Sequence, residues 1–353
     1  MSMSINNTFN APYPPPLMDA MGRPMRDLRI SVTDRCNLRC TYCMPREIFD
    51  KNHVFLPRSD LLSFEEIVRV ARVFVDLGIR KIRLTGGEPL LRRGVENLVR
   101  ELAKLTDRNG IPVEVTLTTN GVLLAQKAFA LKDAGLARLT VSLDGLSDAV
   151  FKRMSDVDVP VATVLNGISS AERAGFSSIK VNMVVKRHVN DHELLPMARH
   201  FRSSGITLRF IEYMDVGNTN GWRMEEVVTA SEILETIGSQ FPLQRTGAKD
   251  EVAQRWRYLD GKGEIGVIAS VTQAFCSGCT RMRLSTDGKL YTCLFAEDAK
   301  ADLKAMLRNG KTEEDLMKTI SGCWKNRDDR YSQIRHQLTE SQLKKIEMSY
   351  IGG

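Results

Sequence analysis

The chain reads Asp34-Arg35-Cys36-Asn37-Leu38-Arg39-Cys40-Thr41-Tyr42-Cys43 directly after a short β-like run, Leu28–Val32. The spacing C-x3-C-x2-C places three thiolates on one short loop, where they can bind three irons of a [4Fe–4S] cube and leave the fourth iron free for a cofactor. Structural zinc is the alternative. It needs four ligands, and the next candidate, His53, lies ten residues beyond Cys43. The motif therefore favours an iron–sulfur cluster.

An alternation of β-like and helical runs surrounds this motif. The β-like runs are Leu28–Val32, Lys81–Leu84, Val113–Leu117, Leu139–Leu143, Ile179–Val185 and Leu208–Ile211. Amphipathic runs predict helices at Ser63–Leu77, Val95–Leu105, Leu123–Asp133, Val161–Ala174 and His192–Arg202. Such alternation is typical of parallel βα units. Six units are two short of a closed (β/α)8 barrel, so we predict an α/β fold, an incomplete (β/α)6 TIM-type barrel that is open on one side.

The composition of the 353 residues excludes several classes of protein. Hydrophobic residues make up 42% and charged residues 26%, which is typical of a globular protein and not of a disordered chain or a coiled coil. No apolar stretch is long enough to cross a membrane, and the first 16 residues lack the apolar core of a secretory signal, so we expect a cytoplasmic protein. The net charge of +7 favours an anionic partner.

A second cysteine triplet, Cys276, Cys279 and Cys293, lies in the C-terminal third of the chain. Clustered cysteines in such a protein indicate metal binding rather than disulfide bonds. Three thiolates without an obvious fourth ligand favour a second cube with an open iron. Zinc completed by the distant Cys323 is the alternative at this triplet.

These patterns divide the chain into three segments. Residues 1–22 are polar and contain Tyr13-Pro14-Pro15-Pro16, which predicts a flexible N-terminal arm. The barrel is predicted over 23–240, and a C-terminal α+β region that carries the second triplet is predicted over 241–353. The terminal Gly352-Gly353 follows a charged segment with little to bury, which predicts a tail that is mobile without substrate.

Cationic residues alternate with apolar ones inside the predicted strands. They are Arg29, Lys81, Arg83, Lys180 and Arg209, and the neutral Asn182 follows the same pattern. Helices cover the outer face of such a sheet, so the charged face must point into the lumen of the barrel. Buried cations without partners are costly. They therefore either pair with carboxylates such as Glu212 or bind a polyanion, and a triphosphate would satisfy several of them at once.

Polar motifs follow four of the predicted strands. They are Thr85–Pro89 (Thr-Gly-Gly-Glu-Pro), Thr118–Gly121, Ser142–Gly145 and Glu212–Asp215. Each motif alone is an ordinary turn or cap. Their shared position predicts a site, because TIM-type barrels carry their catalytic groups at the carboxyl ends of the strands. The two glycines permit close approach of a ligand to the backbone, and the Glu88 carboxylate can bind an ammonium group.

The first cysteine motif and the Gly-Gly-Glu-Pro segment resemble those of the radical S-adenosylmethionine (SAM) superfamily. The two cysteine triplets, the run Gly22–Ser31 and the terminal Gly-Gly resemble the GTP 3′,8-cyclase family within it, over the chain from about residue 21 to the end. This resemblance implies two [4Fe–4S] clusters. Their ligands would be Cys36, Cys40 and Cys43 for the first and Cys276, Cys279 and Cys293 for the second.

The resemblance also implies roles for other residues. SAM would contact Tyr42, Gly87, Ser142 and Met214. GTP would contact Arg29, Arg83, Thr118, Lys180, Arg281, Met282 and Arg283. The catalytic residues would be Arg281, Arg283, Gly352 and Gly353, with the glycine tail reaching into the site.

The implied reaction is the first step of molybdenum cofactor biosynthesis. The reduced first cluster would cleave SAM to a 5′-deoxyadenosyl radical, which removes the 3′ hydrogen of GTP, and the substrate radical would then attack C8 of a guanine held at the second cluster. The resemblance further implies an electron donor of unknown identity and a downstream cyclic pyranopterin monophosphate synthase. No nucleic acid or membrane partner is expected, and the chain would act as a monomer or homodimer.

Two other functions fit part of the pattern. A peptide-modifying radical SAM enzyme with an auxiliary cluster typically has more C-terminal cysteines than the four found here. A zinc-bound RNA-binding module needs exposed aromatic platforms, and aromatic residues make up only 7% of the chain. Iron and sulfide analysis of anaerobically purified protein separates these classes.

Overall fold

Six parallel strands form the centre of the fold, as the alternation predicts. The computed structural model describes residues 16–247, 251–335 and 345–353. The central strands are β1 (Asp27–Ser31), β2 (Lys81–Thr85), β3 (Glu114–Thr119), β4 (Arg138–Ser142), β5 (Ile179–Val185) and β6 (Thr207–Glu212). They lie side by side in chain order, each parallel to the next. The predicted six-unit partial barrel is confirmed.

Helices connect these strands close to the predicted positions. They are α1 (Phe64–Asp76), α2 (Val95–Ala103), α3 (Leu124–Asp133), α4 (Asp148–Ser155), α5 (Val161–Arg173) and α6 (Leu194–Phe201). A capping box starts α1: the Ser63 hydroxyl accepts from the Glu66 amide at 3.1 Å, and the Glu66 carboxylate accepts from the Ser63 amide at 2.7 Å. Gly78 follows the other end of α1 at a φ of +102°, a conformation that favours glycine.

The C-terminal region extends this sheet at both edges. It contributes α7 (Ala230–Gly238), β7 (Leu243–Thr246), β8 (Gln254–Tyr258), β9 (Glu264–Ile268), β10 (Arg281–Leu284), β11 (Lys289–Tyr291), β12 (Ala301–Asp302), α8 (Leu303–Arg308), α9 (Glu313–Lys325), α10 (Tyr331–Ile334) and α11 (Met348–Ile351). Strand β9 pairs in parallel with β6, and β10 pairs in parallel with β1. One hydrophobic core runs from the barrel into this region and includes Leu28, Ile265 and Leu290. The two predicted parts therefore share a core.

Residues 16–22 are largely exposed but are anchored to the fold at Leu17 and Asp19, although the sequence places them in a flexible arm; residues 1–15 lie outside the described residues. Asp19 is buried, and its carboxylate forms ion pairs with Arg23 at 2.5 Å and with Arg327 at 3.5 Å. The amide of Ala20 donates to the carbonyl of Arg327 at 3.2 Å. The segment is ordered because Asp19 is the buried counter-charge of two arginines.

The C-terminal end also differs from the sequence expectation. Ile351 is fully buried and lies in a small apolar cluster with Tyr291 and Ala296. The sequence predicts a terminal segment with little to bury, but the buried Ile351 side chain anchors this segment to the fold. No helix in the described part of the chain is long and apolar enough to cross a membrane.

Candidate active site

One cavity of about 320 Å³, here called the central cavity, gathers the predicted site. Both cysteine triplets line it, together with residues from all four polar motifs at the strand ends. The strands β1–β6 are parallel, so their carboxyl ends meet at one end of the sheet, and β10 brings the second triplet to the same place. The fold thus joins two cysteine motifs that are more than 200 residues apart in sequence.

The first triplet lies on the loop after β1. The Cys36 sulfur accepts a hydrogen bond from the Leu38 amide at 3.4 Å and a weaker one from Asn120 Nδ2 at 3.8 Å. Burial, aided by the nearby Glu88 carboxylate, raises the pKa of Cys36 to about 11, and burial also raises the pKa values of Cys40 and Cys43. Thiols with such pKa values need a strong positive centre to hold them as thiolates, which iron supplies.

The second triplet is surrounded by arginines. Burial alone would raise the pKa of Cys279, but Arg281 and Arg327 lower it to about 6, and the Arg327 guanidinium donates to its sulfur at 3.1 Å. Burial raises the pKa of Cys293 to about 11. Cys323, the proposed fourth ligand of a zinc site, does not line the central cavity and instead lines a separate pocket along α9.

The cysteine triplets can be compared with the needs of a single metal ion and of a cluster. In the described residues, no three His, Cys, Asp or Glu side chains converge closely enough to hold one metal ion. A cube distributes its three thiolate ligands over three different irons, so it needs sulfurs that stand further apart than a single zinc ion does. Three cysteines that line one cavity, in each triplet, are compatible with such a cluster.

The residues predicted to contact SAM all line the central cavity: Tyr42, Gly87, Ser142 and Met214. The Tyr42 hydroxyl donates to Asp144 at 2.8 Å, which ties the first cysteine loop to the end of β4. The backbone at Gly86 has a φ of +133°, and a Cβ on Gly87 would overlap the carbonyl of Arg35. Both glycines are needed because the cysteine loop packs directly on this turn.

Glu88 has more internal partners than the sequence suggests. Its Oε1 accepts from the Leu90 amide at 2.9 Å and from the Thr119 hydroxyl at 2.8 Å, and its Oε2 accepts from the Asn120 amide at 2.7 Å. Burial raises its pKa to about 7. The carboxylate lines the cavity and also ties the ends of β2 and β3 together.

Glu212 does not pair with the strand cations, which corrects that alternative. Its carboxylate accepts from the amides of Ala230, Val271 and Thr272 at 2.7, 2.7 and 2.9 Å. These donors are backbone groups at the start of α7 and in the loop after β9. The carboxylate is therefore occupied by the fold itself.

Six arginines line the central cavity: Arg29, Arg83, Arg209, Arg281, Arg283 and Arg327. Arg327 pairs with Asp19 and Asp329, whereas the other five form no ion pair with a carboxylate in the described part of the chain. Arg83 donates to the hydroxyls of Thr118 at 2.9 Å and Thr140 at 3.2 Å, and Arg209 donates to Asn182 at 2.9 Å. The partners of Arg83 and Arg209 are neutral, so the positive charges of these two residues are not cancelled.

Burial and repulsion between neighbouring arginines lower the pKa values of four of these residues. The pKa values of Arg83, Arg209 and Arg283 are each lowered to about 10, first by burial and then by neighbouring arginines. The pKa of Arg29 is lowered well below its ordinary value for the same reasons. A polyanion in the cavity would relieve both effects.

Two residues of the predicted cationic set, Lys81 and Lys180, and one predicted GTP contact, Met282, lie elsewhere. Lys81 pairs with Asp27 near the start of β2, and Lys180 is half-buried but is not among the lining residues. Met282 is fully buried in the hydrophobic core. Successive side chains of β10 point to opposite faces, so Arg281 and Arg283 face the cavity and Met282 cannot. The Met282 side chain therefore points away from the cavity, and the GTP contact of this residue stays a prediction.

The C-terminal glycines reach the same cavity. Gly353 lines it, and the Arg283 guanidinium donates to the carbonyl of Gly352. Gly352 has a φ of +77°, and a Cβ there would overlap the Thr85 side chain. The four residues predicted to be catalytic, Arg281, Arg283, Gly352 and Gly353, are therefore brought together.

Sequence reasoning placed Arg209 among the lumen cations but not among the predicted GTP contacts, and it left out Arg327 altogether. Arg209 has a detectable signal, because it alternates with apolar residues in β6 in the same way as Arg83 does in β2. Arg327 has none: it follows α9, far from any motif, and its contact with Cys279 is purely tertiary.

Comparison with known proteins identifies the family. The radical SAM superfamily matches residues 30–201, and the family described as Molybdenum Cofactor Synthesis C matches residues 206–333. A GTP 3′,8-cyclase of Acidothermus cellulolyticus is 50% identical, over 96% of this chain and 99% of that protein. The chain belongs to the GTP 3′,8-cyclase family. A second such cyclase, of Staphylococcus saprophyticus, is 47% identical over the same shares of both chains. The protein is therefore a radical SAM enzyme that uses SAM and an iron–sulfur cluster.

Solved structures agree on the fold. Streptococcus suis SuiB bound to S-adenosylmethionine aligns with a TM-score of 0.59 at 16% identity, over 90% of this chain and 69% of that one. The enzyme anSMEcpe with bound AdoMet aligns with a TM-score of 0.60 at 15% identity, over 84% of this chain and 78% of that one. At such identities the likeness concerns the fold alone, which is that of radical SAM enzymes.

Proposed function

We propose that the central cavity binds SAM beside the first cysteine triplet and GTP beside the second, with a [4Fe–4S] cluster at each triplet. The enzyme converts GTP to (8S)-3′,8-cyclo-7,8-dihydroguanosine 5′-triphosphate, the first step of molybdenum cofactor biosynthesis. One observation carries the assignment of the site: five arginines without carboxylate partners, in the described part of the chain, line the same cavity as both triplets.

Three of these arginines form a row across adjacent strands. Arg29 of β1 is in register with Arg283 of β10 on one side and with Arg83 of β2 on the other. Neighbouring strands lie about 4.8 Å apart, so the row presents closely spaced guanidinium groups on one face of the sheet. A triphosphate carries its charges in a line and matches such a row, whereas a peptide offers no comparable density of negative charge.

The chain's own residues bind and orient the reactants. When bound, the first cluster and SAM together supply the radical that removes the hydrogen atom from GTP. Tyr42 and Gly87 hold the SAM side of the cavity, and the arginine row fixes the triphosphate. Arg283 also holds the Gly352 carbonyl, which places the glycine tail against the bound nucleotide and helps to exclude water. Glycines fit there because they have no side chain to obstruct the cavity.

The proposal includes partners of the reaction. Electrons must come from a donor, whose identity the residues do not specify. The cyclised product would pass to a cyclic pyranopterin monophosphate synthase. Location in the cytoplasm, action as a monomer or homodimer, and the lack of nucleic acid and membrane partners remain predictions from the sequence.

Iron content and product analysis test the proposal together. Anaerobic reconstitution should give about eight irons per chain, which corresponds to two cubes. Cys276→Ala should lose about four irons and all cyclised nucleotide, as measured by mass spectrometry, while SAM cleavage persists in part. Cys36→Ala should abolish SAM cleavage. Zinc instead of iron at the second triplet would refute the two-cluster assignment.

A further inference from the structure

The last residues of the chain are fastened to one loop by contacts that the proposed function does not use. We call residues 345–353 the tail segment and residues 213–222, which follow β6, the β6 loop. Three side chains of the loop and two of the tail segment make the contacts: Asp215, Asn218 and Thr219 on the loop, and Lys345 and Glu347 on the tail segment. Lys345 and Glu347 lie immediately before the short helix α11, which leads to the glycines in the cavity.

Asn218 binds the backbone of the tail segment in two directions. Its Nδ2 donates to the carbonyl of Lys345 at 2.5 Å, and its Oδ1 accepts from the amide of the same residue at 3.0 Å. A side-chain amide that pairs with both backbone groups of one residue mimics a short β-bridge. Asn218 itself is exposed, so these bonds order the tail segment without contributing to the core.

Glu347 makes the reciprocal contact. Its Oε1 accepts from the Asn218 amide at 2.9 Å, and its Oε2 accepts from the Thr219 hydroxyl at 3.0 Å. The carboxylate lies directly over Gly217, where the φ is +65° and an added Cβ would overlap it. Because Gly217 has no side chain, the loop leaves room for the Glu347 carboxylate.

A buried ion pair closes the contact. Lys345 Nζ donates to the Asp215 carboxylate at 2.7 Å and to the Asp215 carbonyl at 2.8 Å, and both side chains are largely buried. The Lys345 ammonium also lies 4.9 Å from the centre of the Tyr331 ring. Asp215 pairs in addition with Arg335 at 2.9 Å, so this end of the loop is held from two sides.

Hydrogen bonds within the β6 loop hold its backbone in place beneath the tail segment. The Tyr213 hydroxyl donates to the carbonyl of Asn220 at 2.8 Å, and the Trp222 indole donates to the carbonyl of Tyr213 at 2.9 Å. Asn220 Nδ2 donates to the carbonyl of Met214 at 3.1 Å. Met214 lines the central cavity, so the loop that seats the tail segment also forms part of the SAM side of the site.

We propose that Asn218 and Glu347 are positioning residues for the reaction, which dock the tail segment so that Gly352 and Gly353 stay in the central cavity. This inference rests on the proposed role of the glycine tail. Only five residues separate Glu347 from Gly353, so a docked Glu347 confines the glycines to the cavity mouth. Loss of the two Asn218 hydrogen bonds should shift the balance between docked and released tail by about 10-fold.

Hydrogen exchange of the cluster-loaded enzyme tests the docking without relying on activity. In Asn218→Ala, backbone amides of 345–353 should exchange about 10-fold faster, including the Gly352 amide, which donates to the Met348 carbonyl at 2.8 Å. The melting temperature should stay unchanged, because Asn218 is exposed. Asn109→Ala is the matched control, since Asn109 is an exposed residue in the turn that precedes β3.

Turnover then tests the positioning role. In Asn218→Ala, kcat should fall about 10-fold while the KM for GTP changes less than about twofold, because the arginine row is intact. Glu347→Gln keeps one acceptor oxygen and should be less impaired than Glu347→Ala. Unchanged tail exchange in Asn218→Ala, or faster exchange with normal kcat, would overturn the inference. If instead deletion of Gly352 and Gly353 leaves turnover normal, the proposed role of the glycines fails, while the exchange data still report whether the tail is docked.

Discussion

Replacement of Arg83 by methionine should weaken GTP binding while leaving the empty enzyme at least as stable. Burial, followed by repulsion from Arg138, lowers the pKa of Arg83 from its ordinary value to about 10. That difference corresponds to about 3 kcal/mol by which the charge destabilises the folded state. The hydrogen bonds to Thr118 and Thr140 return about 1 kcal/mol each. The variant should therefore gain about 1 kcal/mol in free energy of unfolding.

The loss on the ligand side should be larger and specific to phosphate. One charge-assisted contact contributes about 1.5–3 kcal/mol, so the Kd for GTP should rise about 10- to 100-fold. Calorimetry with GTP and with guanosine, on cluster-loaded enzyme without SAM, measures the difference, and denaturant unfolding measures stability. Arg108→Met, on the exposed turn before β3, is the control. Equal losses for GTP and guanosine, or a drop in unfolding free energy of about 2 kcal/mol, would show that Arg83 supports the fold instead.

Three further predictions concern other parts of the molecule. Burial, followed by repulsion from Arg209, lowers the pKa of Lys180 from 10.5 to about 8, so the protonated side chain destabilises the folded state below pH 8 and this penalty disappears as the pH rises to 10.5. The melting temperature of the unmodified protein should therefore rise relative to that of Lys180→Met between pH 8 and pH 10.5. A difference in melting temperature that stays constant over this range would contradict the prediction. Asp19→Ala leaves buried arginines uncompensated and should lower the free energy of unfolding by about 3–5 kcal/mol, measured by denaturant titration, whereas a loss below about 1 kcal/mol would count against the buried pair. Gly87→Ala pushes on the Arg35 carbonyl and should cost about four irons per chain with unchanged circular dichroism; full iron retention would be inconsistent with the packing.

The barrel strands and helices could be predicted because their signals are local. Periodic apolar residues, the Ser63 capping box and the glycine after α1 are all encoded within a few residues of the element they define. Helix α4 was missed because its buried apolar residues, Val150, Phe151 and Met154, span little more than one turn. The pairing of β10 with β1 could not be predicted, because nothing in either strand specifies a partner some 250 residues away.

The functional site, too, could be predicted only where its signals are local in the sequence. The alternation of cationic and apolar residues correctly places Arg29 and Arg83 on the lumen face. It does not show how close to the cavity each side chain lies along its strand. Lys81 shares that face and yet pairs with Asp27 at the other end of β2, while Arg83 reaches the cavity. Ile351 was treated as part of a free tail because a single apolar residue in a charged segment gives no pattern, and its pocket is built by β11 and its neighbours.

The order of strands in the sheet has a consequence for how the chain is made. Strand β1 emerges first, but its outer edge is covered only when β10 has been synthesised, about 250 residues later. At about 5–20 residues per second this takes on the order of 10–50 s. The far edge, at β6, waits for β9. A nascent chain therefore displays two unpaired parallel edges, which invite pairing with other nascent chains. Chains terminated near residue 240 lack both covering strands and should therefore aggregate after release from the ribosome, whereas the full-length enzyme, in which β9 and β10 cover both edges, should not.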